Sequence, residues 1–134
     1  MPAINWWAVL TGGLSSMLLG GLWYSPVLFA RPWMAAIDKT EEDLRGAAGV
    51  GPYVIAFVAT AIAAIVLSVL ADWGGVDTLV EGLLLGLIVG IGIIATAYTT
   101  TYVFEGRPST LLWINVGHDV LRTVVVGAIV GAWQ

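Results

Sequence analysis

The chain has 134 residues, of which 59% are hydrophobic and only 10% charged, and its mean hydropathy is +0.94. A soluble domain carries about 25% charged residues, so this composition excludes a water-covered globular surface and makes the lipid bilayer the expected partner. A net charge of −4 with no basic patch excludes nucleic acid, and the absence of cysteine excludes disulfides, thiol chemistry and cysteine metal sites.

Four apolar stretches each match the roughly 20 residues needed to cross a hydrocarbon core. The first, 4–29, has no basic n-region and outruns the apolar core of a signal peptide, so it reads as a retained membrane helix. Gly12, Ser16 and Gly20 line one face of it, and Pro26 is expected to kink or stop it. The segment 31–51 is the only long polar stretch. Within it "TEEDLR" has the form of a capping box, with Thr40 as N-cap and Asp43 three residues on. Trp33, Met34, Ile37 and Leu44 give this segment an apolar edge that could rest on a membrane surface; a solvated loop accounts for it equally well.

The second stretch, 52–71, starts at Pro52, where a missing N–H costs nothing, and carries Ala56, Thr60 and Ala64 on one face. The third, 78–104, repeats glycine every four residues at Gly82, Gly86 and Gly90, in the manner of a glycine zipper. The fourth, 110–133, follows Pro108 and repeats the pattern at Gly127 and Gly131. In lipid these stretches must be helices, because no water is present to satisfy an open backbone. The expected fold is therefore all-α, a single domain over 1–134 with four transmembrane helices in a compact bundle. Small-residue stripes allow close helix approach, and a stripe left over for a neighbouring subunit makes a homo-oligomer the expected state.

Arg31, Lys39, Arg45 and Arg107 fall in the first and third connections, and the second has no basic residue. The positive-inside rule then places 31–51 and 105–109 in the cytoplasm and both termini outside, in a plasma membrane. The tryptophans gather near the ends of the spans, as membrane-interface residues do.

Against this background the fourth span holds an anomaly. Asn115, His118, Asp119 and Arg122 are spaced i, i+3, i+4, i+7 and share a sector of about 100°. A charge at a helix centre costs about 2.5–3.5 kcal/mol on the lenient insertion scale, so an ionisable cluster there points to function and to the bundle interior. Tyr98 and Thr99 on the third span, and Tyr24 and Ser25 on the first, lie at comparable depth and complete the candidate binding cluster. Tyr98, Tyr102 and Glu105 share one helix face, although interface anchoring suffices to explain Tyr102. No metal or cofactor is expected, since a single histidine beside one aspartate is poor ligand spacing. A nucleophile elbow and a phosphate loop are both missing, which ranks an enzyme last. The leading expectation is an oligomeric channel or transporter-like protein that binds or passes a proton, ion or small solute. In it His118 exchanges protons, Asp119 sets its charge and Arg122 balances Asp119 or attracts an anion. The alternative is an accessory membrane subunit in which the Asp–Arg pair only fixes helix register and the polar face docks a partner.

The opening "NWWAVLTGGLSSMLLGGLWYSPVLFARPW" resembles a family of small bacterial membrane proteins catalogued as domain of unknown function 1761. Asn5 and Trp23-Tyr24-Ser25-Pro26 carry the resemblance, followed by Phe29 and Trp33; "TEEDLR" and "WINVGHDVLRT" are similar in style. The resemblance spans the chain. It implies four membrane helices in a bacterial inner membrane and assigns no activity.

Overall fold

A computed structural model describes residues 4–47 and 49–133. Residues 1–3 and 134, the chain ends expected to face outward, lie outside the described residues. Helix α1 (Trp6–Trp23) starts at Asn5, whose side-chain oxygen accepts from the Trp7 and Ala8 amides at 3.0 and 3.3 Å. That cap satisfies two of the helix's orphan donors. α1 stops at Trp23, well before residue 29, because the Ser25 hydroxyl takes the Leu22 carbonyl at 2.7 Å and Pro26 has no N–H to continue the ladder.

The stretch expected to be a polar loop holds two short helices, α2 (Ala30–Ala36) and α3 (Glu41–Ala47). α3 opens with the expected capping box: the Asp43 amide donates to Thr40 Oγ1 at 3.2 Å and the Thr40 amide to Asp43 Oδ2 at 2.9 Å. α4 (Val50–Gly74) begins two residues before Pro52, which falls in the first turn, where amides lack an intrahelical acceptor. α5 (Leu79–Val89) has a second capping box, Thr78 with Glu81, that was not anticipated. It passes through a π-helical segment, Gly90–Ala95, into α6 (Thr96–Glu105). Gly75 and Gly106, both at φ +65°, close α4 and α6 in the left-handed conformation. α7 (Ser109–Ala132) completes the described chain.

Three helices, not the expected four, are long and apolar enough to cross a membrane: Val50–Gly74, Leu79–Glu105 and Ser109–Ala132. α1 is the exception. It has only 18 residues, and three tryptophans, four glycines, two serines and a threonine thin out its aliphatic content. It nevertheless packs against α4 and α7 in a compact bundle. The Asn5 amide donates to the Trp133 carbonyl at one end (2.8 Å) and the Trp23 indole to the Ile114 carbonyl at the other (3.0 Å), so α1 runs antiparallel to α7.

Ala8, Val9, Ala64, Leu67, Ala71, Val126 and Val130 form the core where α1, α4 and α7 meet. On its other side α7 meets α5 backbone to backbone. A Cβ added at Gly86 would lie 2.5 Å from the Thr123 carbonyl oxygen and 2.7 Å from the Val124 Cα. One at Gly131 would lie 2.5 Å from the Thr78 carbonyl, and Gly82 and Gly127 would each strike the other's carbonyl. Only glycine permits this approach. The outer surface is lined by large aliphatics such as Leu14, Leu18, Ile55, Ile62, Leu84 and Ile88, while Ser16, Thr60, Ser68 and Thr123 are buried. Each of those four hydroxyls donates to the carbonyl four residues back, so none is left unsatisfied.

Candidate functional site

Asn115, His118, Asp119 and Arg122 project from α7 toward its neighbours, as their spacing requires. The side chains of His118, Asp119 and Arg122 are 12%, 14% and 21% exposed, so three ionisable groups are withdrawn from the surface together. Asp119 is the centre of the arrangement. Its Oδ1 lies 3.0 Å from His118 Nδ1 and 3.3 Å from Arg122 Nη2. The Tyr98 side chain of α6 stands beside the same carboxylate. Arg122 Nη1 donates to Thr60 Oγ1 of α4 at 3.1 Å, and the Thr60 hydroxyl in turn donates to the Ala56 carbonyl at 2.9 Å. Asp119 is thus paired within its own helix, with Tyr98 of α6 beside it, and the bond of Arg122 to Thr60 extends the network to α4.

A carboxylate paired with a guanidinium only accepts hydrogen bonds, so the hydrogen between His118 and Asp119 belongs to Nδ1. The neutral imidazole then carries a lone pair on Nε2. That nitrogen is buried and has no hydrogen-bond partner among the described residues. It faces Gly20 of α1, where an added Cβ would lie 3.4 Å away. The ring is flanked by Tyr24 and Trp23, with centroids at 5.1 and 6.2 Å.

A second set of bonds ties α1, α7 and α6 together. The Tyr24 hydroxyl donates to Asn115 Oδ1 at 2.8 Å, and Asn115 Nδ2 donates to the Tyr102 hydroxyl at 2.9 Å. Phe29 packs at a tilt against Trp23 (4.6 Å) and Trp33 meets Tyr24 edge-on (5.3 Å), which closes this end of the cluster with aromatic rings. Trp23 can approach α7 closely because residue 117 is glycine; a Cβ there would come within 3.2 Å of the indole.

Two of the expected members stand apart. Ser25 caps α1 through the Leu22 carbonyl, and Thr99 is exposed with its hydroxyl on the Ala95 carbonyl at 2.7 Å. Two residues given other roles belong to the network. Tyr102, read as an interface anchor, is 7% exposed and bonded to Asn115, and Thr60, read as part of a packing stripe, is a partner of Arg122. The spacing of Tyr98 and Tyr102 was the available signal for the first; nothing in the sequence singles out Thr60. Glu105 pairs with Arg107 at the surface, and the Arg107 guanidinium stacks over the Tyr102 ring at 5.1 Å. Among the described residues no three His, Cys, Asp or Glu side chains gather as a metal site would need. An apolar groove of about 210 Å³, lined by residues such as Leu79, Ile129 and Trp133, lies at the far end of α7 from His118.

Fold and site together define an all-helical protein with membrane-span-capable helices around a buried polar cluster. The family model described as "Protein of unknown function (DUF1761)" matches residues 7–131, a range that includes every member of the cluster, and the chain belongs to that family. No curated protein and no solved structure matches it.

Proposed function

We propose that the chain is an integral protein of the bacterial inner membrane that works as a homo-oligomer and binds or passes a small polar species, a proton before an ion or solute, at His118. The observation that carries this reading is the imbalance of its imidazole: Nδ1 is held by Asp119 while Nε2 is buried without a partner. A buried unpaired nitrogen is a cost in a cluster kept only for structure, and a vacant acceptor in one that takes up protons. When Nε2 accepts a proton, the adjacent carboxylate compensates the new charge, and Arg122 balances that carboxylate when the proton leaves. Besides Asp119, the titratable group packed on the imidazole is Tyr24, just past the end of α1; from α6 Tyr98 stands by Asp119 and Tyr102 bonds to Asn115, whereas α4 brings the non-titrating Thr60 to Arg122. Arg31, Lys39, Arg45 and Arg107 lie in the connections at the aromatic end of the cluster, which favours a cytoplasmic location for 31–51 and 105–109.

The test is proton flux into vesicles that contain the protein and an enclosed pH dye. Flux above protein-free vesicles, lost in His118→Gln with yield and helicity unchanged, is the expected result. Flux that is absent in the parent, or intact in the variant, rejects the reading. A second reading, an accessory subunit that docks a partner, is favoured by the completeness of the remaining bonds among Tyr24, Asn115, Tyr102, Asp119, Arg122 and Thr60. It predicts that His118→Gln is silent.

A further inference from the structure

The two ends of the helical stretch Leu79–Glu105 are held very differently. α5 is locked to α7 by glycine contacts, whereas Tyr102 is the one buried residue of α6 among those described. The π-helical segment Gly90–Ala95 lies between them. At about 100° per residue, an unbroken α-helix would spread Gly82, Gly86, Gly90, Tyr98 and Tyr102 over roughly 200°. Tyr102 would then face away from the side that Gly82 presents. Instead the glycines touch α7, Tyr98 stands beside Asp119 and Tyr102 bonds to Asn115. An i→i+5 turn absorbs about one extra residue and so takes up about 100°, which brings all five into a sector of roughly 100°. The π-segment is what aims the two tyrosines at the cluster.

Gly90, at the start of that segment, packs against Val120 of α7, but beyond it little fixes the register. Gly92 has no atom within 4 Å of the position a Cβ would take. The local brace is the Thr96 hydroxyl, which lies 2.9 Å from both the Gly92 and the Ile93 carbonyl oxygens. At the other end of α6 the chain turns through Gly106, at φ +65°, into Arg107 and Pro108. A residue released by the π-turn could be taken up in that link. The exchange of i→i+5 for i→i+4 bonds leaves the segment's backbone groups paired, as a membrane interior demands.

We propose that Gly90–Ala95 is a register switch for the polar cluster. Its reversion to α-helix turns α6 by about one residue, withdraws Tyr98 from Asp119 and Tyr102 from Asn115, and presents Ala97 and Thr101 to α7 in their place. Both of these residues are now exposed, and both are smaller than the tyrosines they would replace, so the cluster opens on the α6 side. The role as a gate rests on the proton-binding reading above; the change of register does not.

The chain has no cysteine, so Thr101→Cys supplies a single thiol for a spin label on the full protein in lipid nanodiscs. The expected spectrum has two components, a major mobile one and a minor immobilised one. Thr96→Val, which removes the brace on a lipid-facing surface, should at least double the immobilised fraction, and deletion of Gly92 should abolish it. A single mobile component in both the parent and Thr96→Val overturns the switch, and so do two components that neither change alters. Should the deletion fail to fold, the Thr96→Val comparison decides alone. Proton uptake by His118, followed by NMR in the same samples, reports on the functional reading independently: a register change without proton uptake removes the gate's purpose and leaves the switch standing.

Discussion

The two halves of α7 hold their neighbouring helices in opposite ways. From Thr123 to Ala132 the helix presents glycine and valine, and its neighbours approach until backbones touch. From Ile114 to Arg122 it presents amide, imidazole, carboxylate and guanidinium to α1, α4 and α6, which are held at side-chain length by hydrogen bonds, and only Gly90 still approaches its backbone, at Val120. The first half cannot accept an added atom; the second cannot lose one. The backbone-level contact offers no group for chemistry, whereas the bonded cluster leaves one buried nitrogen, His118 Nε2, without a partner among the described residues.

The sharpest way to break the contrast is to add bulk to the tight half. Gly86→Leu drives a side chain into the Thr123 carbonyl and should cost more than about 4 kcal/mol, or abolish folding, in thermal unfolding assays. Gly92→Leu, six residues further on in open space, should leave the melting temperature nearly unchanged. Equal effects from the two would put the glycine contact in doubt. Removing a partner from the polar half comes next. Asp119→Asn or Arg122→Gln alone should cost about 3 kcal/mol, because each leaves a buried group uncompensated, and the double variant should recover much of that loss. Additive losses would show that the pair is not coupled. Asn115→Leu should cost less, about 1–2 kcal/mol, by leaving the Tyr24 and Tyr102 hydroxyls without their shared partner; an unchanged unfolding midpoint would remove Asn115 from the network.

The smallest effect lies outside the bundle. The Thr40 amide and hydroxyl hold the exposed Asp43 carboxyl below its ordinary range. A carboxyl whose folded value is depressed stabilises its helix above the ordinary carboxylate range, and that support is lost as the pH falls through the depressed value. Amide protection factors over 41–47 should therefore fall at acid pH in the parent and be low at all pH values in Asp43→Asn, with no change in α7.

The polar sector of α7 was legible in the sequence because i, i+3, i+4, i+7 spacing fixes direction as well as depth. The partners of that sector were legible only in part. Depth alone suggested Ser25 and Thr99, yet Thr99 is one residue, and so about 100°, from Tyr98 and cannot share its face. Thr60 became a partner through the packing of α4 on α7, which no local pattern encodes. The spans stood out as long apolar runs, but α1 was overcounted, since its reach depended on where Ser25 and Pro26 end the helix. The π-segment could not be seen in "GIGIIA", which is apolar on every side. Its trace was the four-residue spacing of Gly82, Gly86, Gly90, Tyr98 and Tyr102, too long for one face of an unbroken α-helix.

The central claim, that the polar half of α7 holds an imidazole anchored at one nitrogen and open at the other, can be tested on a single residue. His118 is the only histidine, so ¹⁵N-histidine labelling of the protein in lipid yields signals from that ring alone. The ring should be the Nδ1–H tautomer when neutral, with a bare Nε2 that gains a proton as the pH is lowered while the Nδ1 hydrogen bond to Asp119 persists. A neutral ring with its hydrogen on Nε2, or an Nε2 that takes up no proton over the range in which the fold survives, would contradict the account.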